Sequence, residues 1–171
     1  YCLGQAATIR VAHWHGRALP QRLRHCVQQV VLIGLSGMAL LALLLVCFRA
    51  EIAALFFAPR GGTSQAHDLV ARTLVVVAAI HLVDGGQAIA LGVLRGLGSG
   101  AQPAALAIFC YWVLGLGSAY HLGMTQGLGL PGLWLGIGLG LGAALLVFTL
   151  WARRLLGDVD RALMPAGRAR A

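Results

Sequence analysis

The sequence predicts an all-α integral membrane protein with four complete transmembrane helices and the end of a preceding helix. Three observations carry that expectation. The 171-residue chain is 59% hydrophobic and only 11% charged, with a mean hydropathy of +0.82, whereas soluble domains carry about 25% charged residues. Four apolar runs reach the ~20 residues that a helix needs to cross a hydrocarbon core of about 30 Å. The basic residues are 13 arginines with no lysine, and they cluster between those runs, as basic residues do beside membrane spans.

Residues 1–11 are too short to span and read as the tail of a helix. The spans follow at about 28–48, 69–94, 104–124 and 133–152, and 153–171 reads as a cytoplasmic tail. Lipid offers no partner to backbone amides, so each run should be helical. The connectors carry the expected breakers, Pro59-Arg60-Gly61-Gly62, the stretch Gly96 to Pro103, and Gly127 to Gly132. The chain opens at Tyr1 with neither an initiator Met nor a charged segment before an apolar one. No signal peptide is therefore expected, and the start reads as an interior cut through a longer protein.

Arginine placement sets an expected orientation. Arg10, Arg17, Arg22, Arg24, Arg95, Arg153, Arg154, Arg161, Arg168 and Arg170 fall on one side, against Arg49, Arg60 and Arg72 on the other. That bias puts both chain ends in the cytoplasm of a cell inner (plasma) membrane. Trp151, Tyr111 and Trp134 lie near predicted helix ends, where aromatic rings anchor at headgroup depth. Gly132, Gly136 and Gly140 recur every fourth residue, with Gly138 and Gly142 on an adjacent strip. Such faces either let helix backbones pack closely or give bending freedom, and Gly92, Gly96 and Gly100 admit the same two readings.

The chemistry concentrates in His81-Leu-Val-Asp84-Gly-Gly-Gln87. Asp84 is the one acid inside any of the four runs, and a carboxylate at bilayer depth costs about 2.5–3.5 kcal/mol on insertion scales, so it reads as part of an ion or substrate pathway. His81 and Gln87 lie three positions either side of it, on roughly one helix face. Together they offer one cavity a carboxylate for a sodium ion or proton, an imidazole to tune or relay that proton, and an amide oxygen for a cation. The alternative is interhelical hydrogen bonding that only glues helices together. Arg95 stands about 16 Å along the helix from Asp84, too far for a direct pair. The cysteines Cys2, Cys26, Cys47 and Cys110 show neither CxxC nor zinc spacing, and His13-Trp-His15 lacks a third ligand, so no metal is assigned. The other histidines, at 25, 67 and 121, read as interfacial. No basic stripe with interleaved aromatics suggests a nucleic-acid partner. No Ser-His-Asp order, phosphate loop or paired carboxylates suggest an enzyme.

In order along the chain, Gln5-Ala-Ala-Thr8-Ile-Arg10-Val11, Asp84-Gly-Gly-Gln87 followed by Gly92-Val-Leu-Arg95-Gly96, Tyr111-Trp112 through Tyr120, and Gly132-Leu-Trp134-Leu-Gly136 resemble the eighth, tenth, eleventh and twelfth helices of the multidrug and toxic compound extrusion (MATE) family. The resemblance implies part of the C-terminal six-helix bundle of a twelve-helix transporter, covering about its last third. It implies a secondary antiporter that expels cationic or amphipathic drugs in exchange for protons or sodium ions, with no other cofactor. It places Asp84 in the coupling-ion site; His81 and Gln87, beside it by helical spacing, complete the candidate ion or proton site, and Tyr111 and Tyr120 are the candidate cavity-lining residues. Membrane lipid, drug-like molecules and a missing N-terminal bundle are the implied partners. The sequence departs from the family where His81 stands for a common Gln and Gly117 for a common Pro. By itself the chain is expected not to transport. A non-transporting membrane remnant or assembly module, and a lipid-linked sugar flippase of the same superfamily, are the alternatives.

Overall fold

A computed structural model describes residues 2–57 and 64–163, and every element in it is helical. The helices are α1 (Cys2–Gly16), α2 (Pro20–Cys47), α3 (Arg49–Phe57), α4 (Ser64–Gly96), α5 (Ala101–Thr125) and α6 (Gly129–Leu163). Arg60, Arg168, Arg170 and the breaker Pro59–Gly62 fall outside the described residues. Four helices are long and apolar enough to cross a membrane: α2, α4, α5 and α6. Large apolar side chains such as Leu32, Ile33 and Leu40 point outward from α2, which suits a helix facing lipid.

The helices overrun the apolar segments. α2 begins at Pro20 rather than 28, α1 continues to Gly16 rather than 11, and α6 runs on to Leu163 through the stretch expected as a tail. Hydropathy marks only the part of a helix inside hydrocarbon, whereas backbone hydrogen bonding carries the helix on through headgroup depth. There Arg17 and Arg22 lie over the Trp14 ring at 5.7 and 5.3 Å from its centroid. Between the first two spans the chain forms a further helix, α3, which is too short to span.

Packing runs through α4. Its Gly92 and Gly96 lie against Gly4, Ala7 and Val11 of α1; Gly85 and Ile89 meet Met38 and Gly34 of α2; Ile80, Val83 and Gly86 meet Gly138, Gly142 and Leu145 of α6. These pairs make α1, α4 and α6 parallel, with α2 antiparallel to them. α5 packs on α6 in the opposite sense, through Gly115 with Gly140, Ala119 with Gly136 and Leu122 with Gly132. The two glycine strips of α6 thus meet two different neighbours, Gly132, Gly136 and Gly140 facing α5 and Gly138 and Gly142 facing α4. At one end of the bundle a core forms around Phe148, Leu23 and Leu94. There Gly98, at φ 86°, closes α4 as the amides of Gly98 and Ser99 return to the carbonyls of Arg95 and Leu94.

The antiparallel run sorts the described arginines by end. Arg10, Arg17, Arg22, Arg24, Arg95, Arg153, Arg154 and Arg161 lie toward the end holding the α1–α2 link, and Arg49 and Arg72 toward the other. Thr8 fastens α1 to α4, its hydroxyl reaching both the Gly4 carbonyl at 3.0 Å and the Gly92 carbonyl at 3.1 Å. Thr8→Val keeps the shape and removes both bonds, so it should cost about 0.6 kcal/mol, the mean for interhelical hydrogen bonds in membranes. Thermal unfolding in detergent should show a small drop in Tm, and an unchanged Tm would mean that glycine contacts alone hold α1.

Candidate functional site

Asp84 lies in the middle of α4, inside a helix whose backbone groups must be satisfied within the segment. The glycines after it are spent on packing: a Cβ on Gly85 would lie 2.5 Å from Met38 of α2, and one on Gly86 would lie 3.3 Å from Leu145 of α6. α2 and α6 therefore close on the far side of α4. Asp84 is turned away from them, because successive residues rotate by about 100°.

Three side chains form a hydrogen-bonded chain. The Tyr111 hydroxyl on α5 donates to Gln87 Oε1 at 2.5 Å, and Gln87 Nε2 donates to Asp84 Oδ1 at 3.1 Å. The donors all point toward the carboxylate, which suits an ionised acid that only accepts. Gln87 is 7% exposed while Asp84 is half-buried. Among the described residues no arginine pairs with Asp84, and the amide of Gln87 is bonded to its carboxylate. His81, one turn earlier, has a buried Nε2 that makes no hydrogen bond among the described residues.

α5 docks on α6 and reaches α4 through the length of the Tyr111 side chain. α5 is also distorted, with π-helical turns at Cys110–Leu116 and His121–Thr125, and such wide turns recur at functional sites. The irregularity arises without proline. Gly117 lies between the two π stretches, and a Cβ there would meet nothing.

Tyr111, which the sequence offers both as an anchor at a helix end and as lining the cavity, is bonded to Gln87. Tyr120, the other cavity-lining candidate, is 68% exposed and outside the hydrogen-bonded group. Its neighbour Ala119 takes the buried position against Gly136, which carries the next side chain off the packed face. A space of about 640 Å³ opens between α2, α4 and α6, and its α4 wall is Leu82, Gly86, Ile89, Ala90 and Val93. At about 100° per residue these positions sit on the face opposite Asp84. His81, Asp84 and Gln87 thus do not line that cavity. On the side of Asp84 itself, Ala88 one turn on meets Gly4 of α1, Ile80 one turn back meets Gly138 of α6, and Gln87 reaches Tyr111 of α5.

Among the described residues no three His, Cys, Asp or Glu side chains are grouped to hold a metal.

Comparison with known proteins follows the same lines. A family model described as MatE matches residues 1–121. The chain is 34% identical over 158 residues to a probable multidrug resistance protein NorM of Brucella suis biovar 1 (strain 1330), covering 92% of this chain and 34% of that protein. It is 35% identical over 150 residues to the multidrug resistance protein NorM of Burkholderia vietnamiensis, covering 87% and 32%. The chain spans about a third of the length of these relatives. Its fold is similar to that of a multidrug resistance MATE family transporter of the MOP superfamily in an inward-facing conformation, with a TM-score of 0.82 at 21% identity over 92% of this chain and 36% of that one. It is similar also to an outward-facing structure so described, with a TM-score of 0.80 at 21% identity over 92% and 35%.

Proposed function

This chain belongs to the MatE family of multi-pass membrane transporters, and from that premise we propose that it is part of a secondary active antiporter that exports cationic or amphipathic drugs and toxic compounds in exchange for protons or sodium ions. In this reading Asp84 holds the coupling cation. Gln87 and Tyr111 fix the direction of its carboxylate, and His81 relays or tunes a proton beside it. The arginine-rich end faces the cytoplasm of the inner (plasma) membrane, as basic residues favour.

The observation that carries the reading is a half-buried carboxylate at mid-helix, tied through Gln87 to Tyr111 and, among the described residues, without a basic partner. A buried acid used only as glue would be enclosed and fully hydrogen-bonded, since an unsatisfied charge in hydrocarbon is expensive. Similarity of this fold to both inward-facing and outward-facing transporters supports a unit that rocks as a body about a site near the membrane midplane.

Each cation moving down a tenfold gradient supplies about 1.4 kcal/mol, enough to sustain a tenfold drug gradient per cation. The test is ion-replacement flux with the protein as its gene encodes it, reconstituted in vesicles. Adding a cationic drug should drive an opposite flux of protons or of sodium, and collapsing that one gradient should stop drug movement. Drug movement indifferent to both gradients would sink the antiport reading.

A further inference from the structure

We infer that the crevice between α2, α4 and α6 is a binding site for one anionic phospholipid, its phosphate held by Arg24 and Arg153 and an acyl chain laid along the apolar wall. The site is separate from the proposed cation site, since it occupies the opposite face of α4.

Its lining is graded along the membrane normal. Arg24, Gln28 and Arg153 stand at one end, and Leu35, Leu82 and Leu145 line the other. From Arg24 to Leu35 α2 rises roughly 16 Å, about half the ~30 Å hydrocarbon thickness. The crevice therefore runs from headgroup depth to the bilayer middle, which is the reach of one lipid in one leaflet. A free phosphate would use only the basic end and leave the apolar length without purpose.

Small residues make the space. Gly86 and Ala90 on α4, with Ala152 and Gly157 on α6, keep the walls apart in a volume of about 640 Å³. The two arginines belong to the arginine-rich end of the bundle, which the positive-inside bias assigns to the leaflet that carries anionic lipid. Their guanidinium forks match a phosphodiester in two-point geometry. The lining side chains Val31, Leu35 and Leu82 are apolar and exposed, so a lipid enters from the bilayer without crossing polar surface.

The experiment is native mass spectrometry of the protein as its gene encodes it, purified in detergent and titrated with phosphatidylglycerol or with phosphatidylcholine of the same chains. Phosphatidylglycerol should be retained preferentially, and Arg24→Gln with Arg153→Gln should lower its occupancy by about tenfold or more, on about fivefold per arginine. Arg24→Lys with Arg153→Lys keeps the charge and should retain binding, which separates loss of charge from loss of fold. Gly86→Leu leaves both arginines in place and should weaken both lipids by filling the apolar end. Millimolar inorganic phosphate should not displace bound lipid. The proposal is overturned by no lipid on the unmodified protein, by equal retention of the two lipids, by full retention in the double Gln variant or in Gly86→Leu, or by displacement with inorganic phosphate, which would mark a site for free anions.

Discussion

Asp84→Asn should abolish drug-driven cation exchange while leaving the protein inserted and folded. Asparagine keeps the size of the side chain and a carbonyl oxygen that still accepts the amide of Gln87, now 3.1 Å away. What it removes is the charge. At ~4 Å and an effective dielectric near 20, a unit pair is worth about 4 kcal/mol, so cation occupancy should fall on the order of 100-fold or more. Stability should move the other way or not at all, because taking a carboxylate out of bilayer depth relieves a cost of about 2.5–3.5 kcal/mol. That opposite sign separates a cation site from a polar clasp. If Asp84 were glue between helices, the substitution would lower Tm and transport together. Full drug export by Asp84→Asn, measured as uptake into inverted vesicles against an imposed gradient, would remove Asp84 from the mechanism.

The spans and the acid were legible in the sequence because both depend on quantities local to one helix. Hydropathy over ~20 residues finds a span, and a spacing of three places His81 and Gln87 beside Asp84 on the same helix. What depends on how one helix is turned against another was not legible. The sequence groups His81, Asp84 and Gln87 on one face of α4, and the crevice between α2, α4 and α6 lies on the opposite face. How α4 is turned against its neighbours is set by Gly85, Gly86, Gly92 and Gly96, each matched to a partner on another helix. Tyr111 likewise reads as an anchor while only its own run is considered. Its bond to Gln87 exists because α5 docks on α6 and because a π turn begins at Cys110. No proline or glycine pattern in α5 announces that turn. A signal was present for the crevice, in the small residues Gly86 and Ala90 one turn apart on α4 and in Arg24 and Arg153 at matching depth, but it lay across three helices.

The glycine face of α6 gives the largest expected effect on folding, and Gly136→Ala is its sharpest probe. A Cβ there would overlap the backbone N and Cα of Ala119 and come 2.5 Å from the Ser118 carbonyl carbon; at Gly140 the added atom would lie 2.5 Å from the Gly115 Cα. These are main-chain atoms of a facing helix, and no rotamer change moves them aside. α5 must therefore withdraw from α6, at a cost of about 3 kcal/mol, the upper range for overpacking. Tyr111 would withdraw with it and lose Gln87, so the carboxylate would lose its orientation as well. Gly142→Ala supplies the control, because its Cβ would sit 4.0 Å from Val83, an ordinary contact that should leave stability within about 0.5 kcal/mol. Thermal unfolding of both variants decides between the two roles open to this face. Packing predicts a large fall in Tm for Gly136→Ala and little change for Gly142→Ala. Bending freedom predicts little loss of Tm in either and slower transport in both, because alanine stiffens a helix wherever it replaces glycine.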